Sequence, residues 1–204
     1  GSPLPHTLPS PEKFSSRVRK LGLGDGSRIV IYDNSDVHSS ARVWWMFRYF
    51  GYHDVCVLDG GLAKWLAEGR PTDDMPTMPR ERHFTARVDT TQVRDKRDVM
   101  KYVTEGGAQI VDARSPGRFK GEEPEAREGL RSGHMPGAFN VPNGKLFNED
   151  GTYKAPDALK ALFEEAGVNL SQPIVTSCGS GITACNLALA LDMSGARKVA
   201  VYDG

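Results

Sequence analysis

Apolar β-branched runs alternate with helix-like stretches along this chain, and the alternation occurs twice. Arg28-Ile29-Val30-Ile31-Tyr32-Asp33 reads as a short buried strand, and Pro173-Ile174-Val175-Thr176-Ser177-Cys178 reads the same way 145 positions later. Each run is followed by a loop, a helical stretch and a glycine, Gly51 or Gly195. A second strand then follows, Val55-Cys56-Val57-Leu58-Asp59-Gly60 or Val199-Ala200-Val201-Tyr202-Asp203-Gly204, at an offset of 144, so one residue gained or lost in the loop reconciles the copies. Strand, helix and strand in this order form the right-handed βαβ unit of a parallel sheet.

Around the two copies the pattern predicts further elements. Residues 61–67 continue the first copy as a helix, and residues 92–102, polar with sparse apolar positions, predict a surface helix. Residues 108–113 predict a strand with Asp112 and Arg114 at its end, and 132–142 a tight turn followed by a short strand. Leu159, Leu162 and Phe163 share one face of an amphipathic helix over 155–167, whereas 184–191 are apolar nearly all round and predict a buried helix stopped by Gly195. Residues 115–132 hold Gly, Pro and alternating charges and predict a long functional loop.

A chain of 204 residues suits one large domain or two small ones, and the repeat favours two. Three prolines and no period over 70–80 mark the join. The expected organisation is a partial first domain at 1–69, a linker at 70–90 and a second domain at 91–204, each α/β with a parallel sheet flanked by helices. Set against each other, the copies predict that the first domain lacks its N-terminal half and the second its C-terminal end. The second copy has a long lead before its strand, and only the first has a helix after Asp-Gly.

Composition narrows the function. The 26 basic and 26 acidic side chains balance, so no global field favours nucleic acid or an anionic membrane, and neither partner is expected. Apolar stretches such as 43–50 and 187–191 fall far short of the roughly 20 residues of a membrane span. The start shows no basic region followed by an apolar one, so no signal peptide is expected. Three cysteines, Cys56, Cys178 and Cys185, are too few and wrongly spaced for a zinc site or a disulfide framework, so no metal and a reducing compartment are expected.

Chemistry concentrates at Cys178. The strand stops there, Gly179-Ser180-Gly181 allow the backbone to curl tightly, and a helix begins after them. A thiol in that position faces converging backbone N–H groups and the positive end of a helix, which favours the thiolate and makes it a nucleophile. Asp33 stands at the same place in the first copy, where a carboxylate replaces the thiol, so the first domain is expected to be non-catalytic. Cys56, in an apolar strand, and Cys185, two turns into a buried helix, are expected to be shielded. Gly22-Leu23-Gly24-Asp25-Gly26 precedes a strand instead of following one, so it is not a nucleotide loop.

The duplicated βαβ pattern, Val111-Asp112-Ala113-Arg114, the stretch from Ser132 to Ala138 and the Asp59-Gly60-Gly61 turn together resemble the tandem-domain rhodaneses over essentially the whole chain. Within that family the Cys178-Gly179-Ser180-Gly181-Ile182-Thr183 loop is similar to that of the 3-mercaptopyruvate sulfurtransferases, whereas thiosulfate-type loops carry basic residues at their centre. The resemblance implies that Cys178 takes sulfur from 3-mercaptopyruvate as a persulfide, releases pyruvate, and passes the sulfur to a thiol such as thioredoxin or to cyanide, without a cofactor. It implies that Arg118 and Arg127 hold the substrate's carboxylate and keto oxygen, that Gly179, Ser180, Gly181, Ile182 and Thr183 cradle it, and that Ser180 and His6 relay protons. The acidic partner of that histidine would lie upstream of Gly1. His134 reads as a structural turn residue. The implied compartment is cytoplasmic, with the mitochondrion as the alternative in a eukaryote.

Two rival classes follow from the same residues. Cys-dependent phosphatases of related fold need an arginine six residues after the cysteine, where this chain has Ala184, and its loop carries no cation. A non-catalytic binding module would not need Cys178. The nearest rival in mechanism is a thiosulfate sulfurtransferase.

Overall fold

The computed structural model describes residues 6–125 and 129–203. Five parallel strands form the larger sheet in the order β3 (Val93–Arg94), β7 (Val199–Tyr202), β6 (Ile174–Ser177), β4 (Gln109–Asp112) and β5 (Phe139–Asn140). β6 lies at the centre with all four residues buried, which explains why its sequence is a continuous apolar run and not an alternating one. A second sheet holds β1 (Ile29–Ile31) and β2 (Val55–Val57), also parallel, with Ile29 opposite Val55. The α/β class and the parallel pairing of both repeat units agree with the reading of the sequence.

The helices are α1 (Pro11–Lys20), α2 (Ser40–Tyr49), α3 (Gly61–Ala67), α4 (Lys96–Glu105), α5 (Pro116–Lys120), α6 (Pro156–Glu165) and α7 (Ile182–Met193). α2 and α7 are the crossover helices of the two copies, and they pack against each other. Ala184, Cys185 and Ala188 of α7 join a core with Trp45, Phe47 and Phe50, while its Leu187, Ala190 and Leu191 join Leu159 and Phe163 of the second unit. A helix buried by two cores must be apolar all round, as 184–191 are.

Several elements differ from the expectation. The helix expected at 92–102 begins at Lys96, because Asp95 caps it in a capping box with Asp98 and the two residues before are drawn into the sheet as β3. Part of the loop expected at 115–132 is α5: the Ser115 hydroxyl caps Arg118 N–H, Pro116 is the first helical residue and Gly121 closes the helix in a left-handed conformation. His134 stacks on Phe119 with ring centres 3.7 Å apart and its Nδ1 lies 2.6 Å from the Phe119 carbonyl oxygen, so it ties the turn to α5.

Residues 70–90 contain no strand and no helix before Thr90, but the segment has two characters. Its Pro-rich half is exposed. From Phe84 onward it is strapped to the first unit: Phe84 is buried against Phe14 and Phe47, and Arg87 and Asp89 N–H groups donate to the Phe50 and Tyr49 carbonyls. Gly51 is needed for this close approach, since a Cβ there would lie 2.7 Å from the Arg87 carbonyl oxygen.

Cys56 corrects the reading of its strand. It is exposed, as are Val30 and Tyr32 of the neighbouring run, because α2 covers only one face of the β1–β2 pair. Among the described residues no helix is long and apolar enough to cross a membrane.

The two units meet through contacts that repeat with the sequence. Asp203 Oδ2 accepts Leu8 N–H at 2.9 Å, and Asp59 Oδ1 accepts Tyr153 N–H at 2.8 Å. Arg42 Nη1 reaches the Gly181 carbonyl at 3.5 Å, and Asn186 Nδ2 reaches the Val37 carbonyl at 2.8 Å. Residues 42 and 186, 37 and 181, and 59 and 203 are all separated by the 144-residue repeat offset, so the units face each other about a pseudo-two-fold.

Candidate active site

The end of β6 delivers Cys178, and the next three residues turn the chain into α7. Gly181 caps that helix with φ of 78°, a conformation open to glycine and costly for a residue with a side chain. In it, the Gly181 N–H points at Cys178 Sγ from 3.0 Å, and the Ser180 N–H lies 3.5 Å from the same sulfur. Two aligned N–H groups and the start of a largely buried helix stabilise negative charge on sulfur, and on a sulfur carried by it. Cys178 is half-buried, so it is held in place and still reachable.

A cavity of about 170 Å³ opens over the sulfur, lined by Arg114, Arg118, Glu125, Leu130, Ser180 and Thr183, among others. Its two described arginines are used differently. Arg114 is fully engaged: its Nε and Nη2 grip Asp112, Nη1 donates to Glu125 at 2.6 Å and Nη2 to the Gly133 carbonyl at 2.8 Å. Arg118 shares Glu125 through Nη2 at 2.5 Å, but its Nε is buried with no partner among the described residues. A buried unpaired donor is costly, so an incoming acceptor is favoured there. Arg118 also reaches over the loop, where a Cβ on Gly179 would lie 3.1 Å from its Nη2. The hydrogen bond from Arg118, and a second from Arg114, hold the Glu125 carboxyl below its ordinary value, so it is an anion at neutral pH.

The loop residues Cys178, Gly179, Ser180, Gly181, Ile182 and Thr183 therefore surround the sulfur, with Ile182 as the first residue of α7, and Arg118 stands opposite. Arg127 lies outside the described residues. His6 has φ of 64°, its carbonyl accepts Arg42 Nη2 at 2.6 Å, and its side chain is exposed. Because Arg42 also reaches Gly181, the His6 backbone is tied to the nucleophile loop; its ring is not among the groups lining the cavity. The sequence reading missed Glu125, which sits in a run of alternating charges, and Arg42, which sits in an apolar helix.

The other thiols are unlike Cys178. Cys185 is fully buried, burial pushes it up to about 12, and its S–H donates to the Gly181 carbonyl at 3.1 Å. Cys56 lies on β2, away from the loop. Among the described residues no group of three or more His, Cys, Asp or Glu could hold a metal ion.

A cysteine cradled by backbone N–H groups at the C-terminal edge of a parallel sheet, with a cation facing it, defines a cysteine-loop α/β protein. The chain belongs to the rhodanese-like domain family, whose model matches residues 4–68 and 95–204. It is 42% identical over 205 residues to 3-mercaptopyruvate sulfurtransferase of Homo sapiens, covering all of this chain and 69% of that protein. It is 41% identical over 206 residues to thiosulfate sulfurtransferase of Rattus norvegicus, again covering all of this chain and 69% of the relative. The crystal structure of SseA from Escherichia coli, a 3-mercaptopyruvate sulfotransferase, superposes with a TM-score of 0.89 at 40% identity, covering all of this chain and 76% of that one.

Proposed function

We propose that this chain carries the catalytic loop of a 3-mercaptopyruvate sulfurtransferase, with the active unit in residues 91–204. The observation that carries the reading is the pairing of Cys178 Sγ, 3.0 Å from the Gly181 N–H, with Arg118, which lines the same cavity and whose Nε has no partner among the described residues. The Cys178 thiolate attacks the donor's sulfur, the carbon–sulfur bond breaks, and its electron pair moves to carbon, which takes up the proton released from the donor's thiol. The products are pyruvate and a persulfide whose outer sulfur rests in the N–H cradle. Arg118, joined by Arg127, holds the donor's carboxylate and keto oxygen by charge-assisted hydrogen bonds, and Ser180, which lines the cavity, moves the proton, while His6 contributes its backbone carbonyl to Arg42 and not its ring to the cavity. The persulfide then passes its sulfur to a thiol, such as that of thioredoxin, or to cyanide.

Overall identity does not separate the two donor classes, since the relatives acting on each differ by one percentage point. Loop chemistry does. Thiosulfate leaves as sulfite, whose second negative charge develops beside the nucleophile and calls for a cation in the loop; Gly179 and Ser180 supply none. Mercaptopyruvate carries its charge away from the transferred sulfur, within reach of Arg118. The test is mass spectrometry after incubation with each donor. A gain of one sulfur atom at Cys178 from 3-mercaptopyruvate, faster than from thiosulfate and reversed by a thiol, is expected. Preference for thiosulfate overturns the donor assignment, and no gain from either overturns the reaction class.

A further inference from the structure

Gly181 is the residue on which the nucleophile depends: its N–H is the nearer donor to Cys178 Sγ. The residue must therefore be held, and the groups holding its carbonyl, in the peptide that follows, come from α7 itself and from the other unit. Cys185 S–H donates to that carbonyl at 3.1 Å, and Arg42 Nη1 lies 3.5 Å from it. Arg42 belongs to α2, yet its side chain is only 9% exposed and its guanidinium is fixed on every side. Nη2 pairs with Asp203 Oδ1 at 2.7 Å and donates to the His6 carbonyl at 2.6 Å, and the group lies 4.6 Å from the ring centre of Trp45. The fit is close: a Cβ at Gly181 would come within 3.0 Å of Nη1.

The pseudo-two-fold supplies a built-in comparison. Across the interface, Asn186 stands where Arg42 does and holds the Val37 carbonyl, the partner of Gly181. There a neutral amide holds the carbonyl, and the Val37 N–H goes to Ser35 Oγ and not to Asp33, whose carboxylate takes the Ser40 N–H. At the Cys178 loop, where the N–H of the held residue does reach the sulfur, the carbonyl is met by a cation with a planar fork, although burying it requires Asp203 as counter-ion.

We infer that Arg42 is a positioning residue for Cys178: by holding the Gly181 carbonyl it fixes the Gly181 Cα and limits rotation about it, so that the N–H on the other side of that Cα stays aimed at the sulfur, and it adds a fixed positive charge behind the cradle. Through the same guanidinium it ties the His6 backbone to the loop, so assembly of the two units sets the nucleophile's reactivity. The inference rests on Cys178 as nucleophile and not on the identity of the donor.

Alkylation by iodoacetamide at neutral pH tests it without any sulfur donor, read by mass spectrometry at each thiol. Exposed Cys56 is an internal reference for reagent, and buried Cys185 reports loss of the fold. In Arg42→Gln the labelling rate of Cys178 relative to Cys56 should fall about ten-fold, the effect of losing one nearby cation and one fixed donor, and Arg42→Lys should recover part of it. Asn186→Ala, which loosens the matching contact, should leave the ratio unchanged. An unchanged ratio in Arg42→Gln with Cys185 still protected overturns the inference, as does an equal fall in Asn186→Ala. If Arg42→Gln exposes Cys185, Arg42→Lys decides: a ratio below wild type supports the inference, and a wild-type ratio overturns it.

Discussion

Asp33 and Cys178 stand at equivalent ends of β1 and β6, and each accepts hydrogen bonds from the chain that leads into the following helix. The Asp33 carboxylate takes the Ser40 N–H and, at 3.3 Å, the Ser39 hydroxyl; the Cys178 sulfur takes the Ser180 and Gly181 N–H groups. α2 and α7 both end two residues before their glycines, Gly51 and Gly195, but α7 is two residues longer at its start, 12 against 10, so fewer residues separate it in sequence from the end of its strand. The fold thus makes an anion cradle twice. In the first copy the carboxyl group of Asp33 fills and satisfies it; in the second a thiol does, and a thiolate remains a nucleophile.

What faces each cradle differs as much as what fills it. The cavity beside Asp33 is the larger, about 610 Å³ against about 170 Å³ over Cys178. Yet it is lined by Asp33, Asp36, Glu149 and Asp150, with Lys64 already paired to Asp150 at 2.8 Å. An anionic donor is repelled there and attracted by Arg118 in the smaller space. Volume alone would point to the first copy; charge points to the second.

The sharpest way to break this comparison is to move the thiol. Cys178→Ser should abolish sulfur uptake from 3-mercaptopyruvate. Adding Asp33→Cys to that variant should not restore it, because the acidic lining stays and, among the described residues, the lysine that lines the cavity is already paired. Mass spectrometry of the double variant decides, and a sulfur atom gained at residue 33 would show that the cradle alone suffices.

Next in size is the cation. Arg118→Ala should weaken binding of mercaptopyruvate by about one to two decades, the worth of a charge-assisted hydrogen bond of roughly 1.5–3 kcal/mol, measured as a rise in KM. Arg118→Lys should recover only part, since a single ammonium cannot match a planar fork. Wild-type kinetics in Arg118→Ala would make the residue a surface charge like those of the first copy.

A smaller change concerns the loop's neutrality. Gly179→Arg with Ser180→Lys should raise turnover of thiosulfate relative to mercaptopyruvate by about ten-fold. Gly179 tolerates a side chain only if Arg118 gives way, since a Cβ there meets its Nη2 at 3.1 Å, so the same change should weaken mercaptopyruvate binding. A ratio left at its wild-type value removes the loop as selector.

Sequence carried the parts of this site that are local. A β-branched run, two flanking glycines and a helix start are contiguous signals, and they located Cys178, its cradle and the repeat. α5 was also written in the chain, as Ser115-Pro116 and Gly121, but five residues are too short to show a period. Cys56 was misread for a different reason: three residues of strand show which way side chains alternate, not whether a layer covers each face. Arg42 and Glu125 were beyond local reading altogether. One acts on Gly181, 139 positions away, and the other matters because two arginines converge on it.

That convergence gives the smallest effect and a test of how far the second cradle depends on its facing charges. Hydrogen bonds from Arg118 and Arg114 lower the Glu125 carboxyl below 4.5, its ordinary value. A carboxyl lowered by folding stabilises the native state above its unfolded value, and that contribution is lost as pH falls through the lowered folded value. Glu125→Gln should therefore lower Tm near neutrality, and the gap from wild type should close as pH falls below 4.5. A partly screened pair of this kind contributes up to about 1 kcal/mol, or about 2–4 °C in a chain of this size. Thermal melts of both proteins between neutrality and acid would read it. A gap that stays constant across that range would mean Glu125 acts through shape and not through charge, and that Arg118 is available to an incoming carboxylate without first giving up its partner.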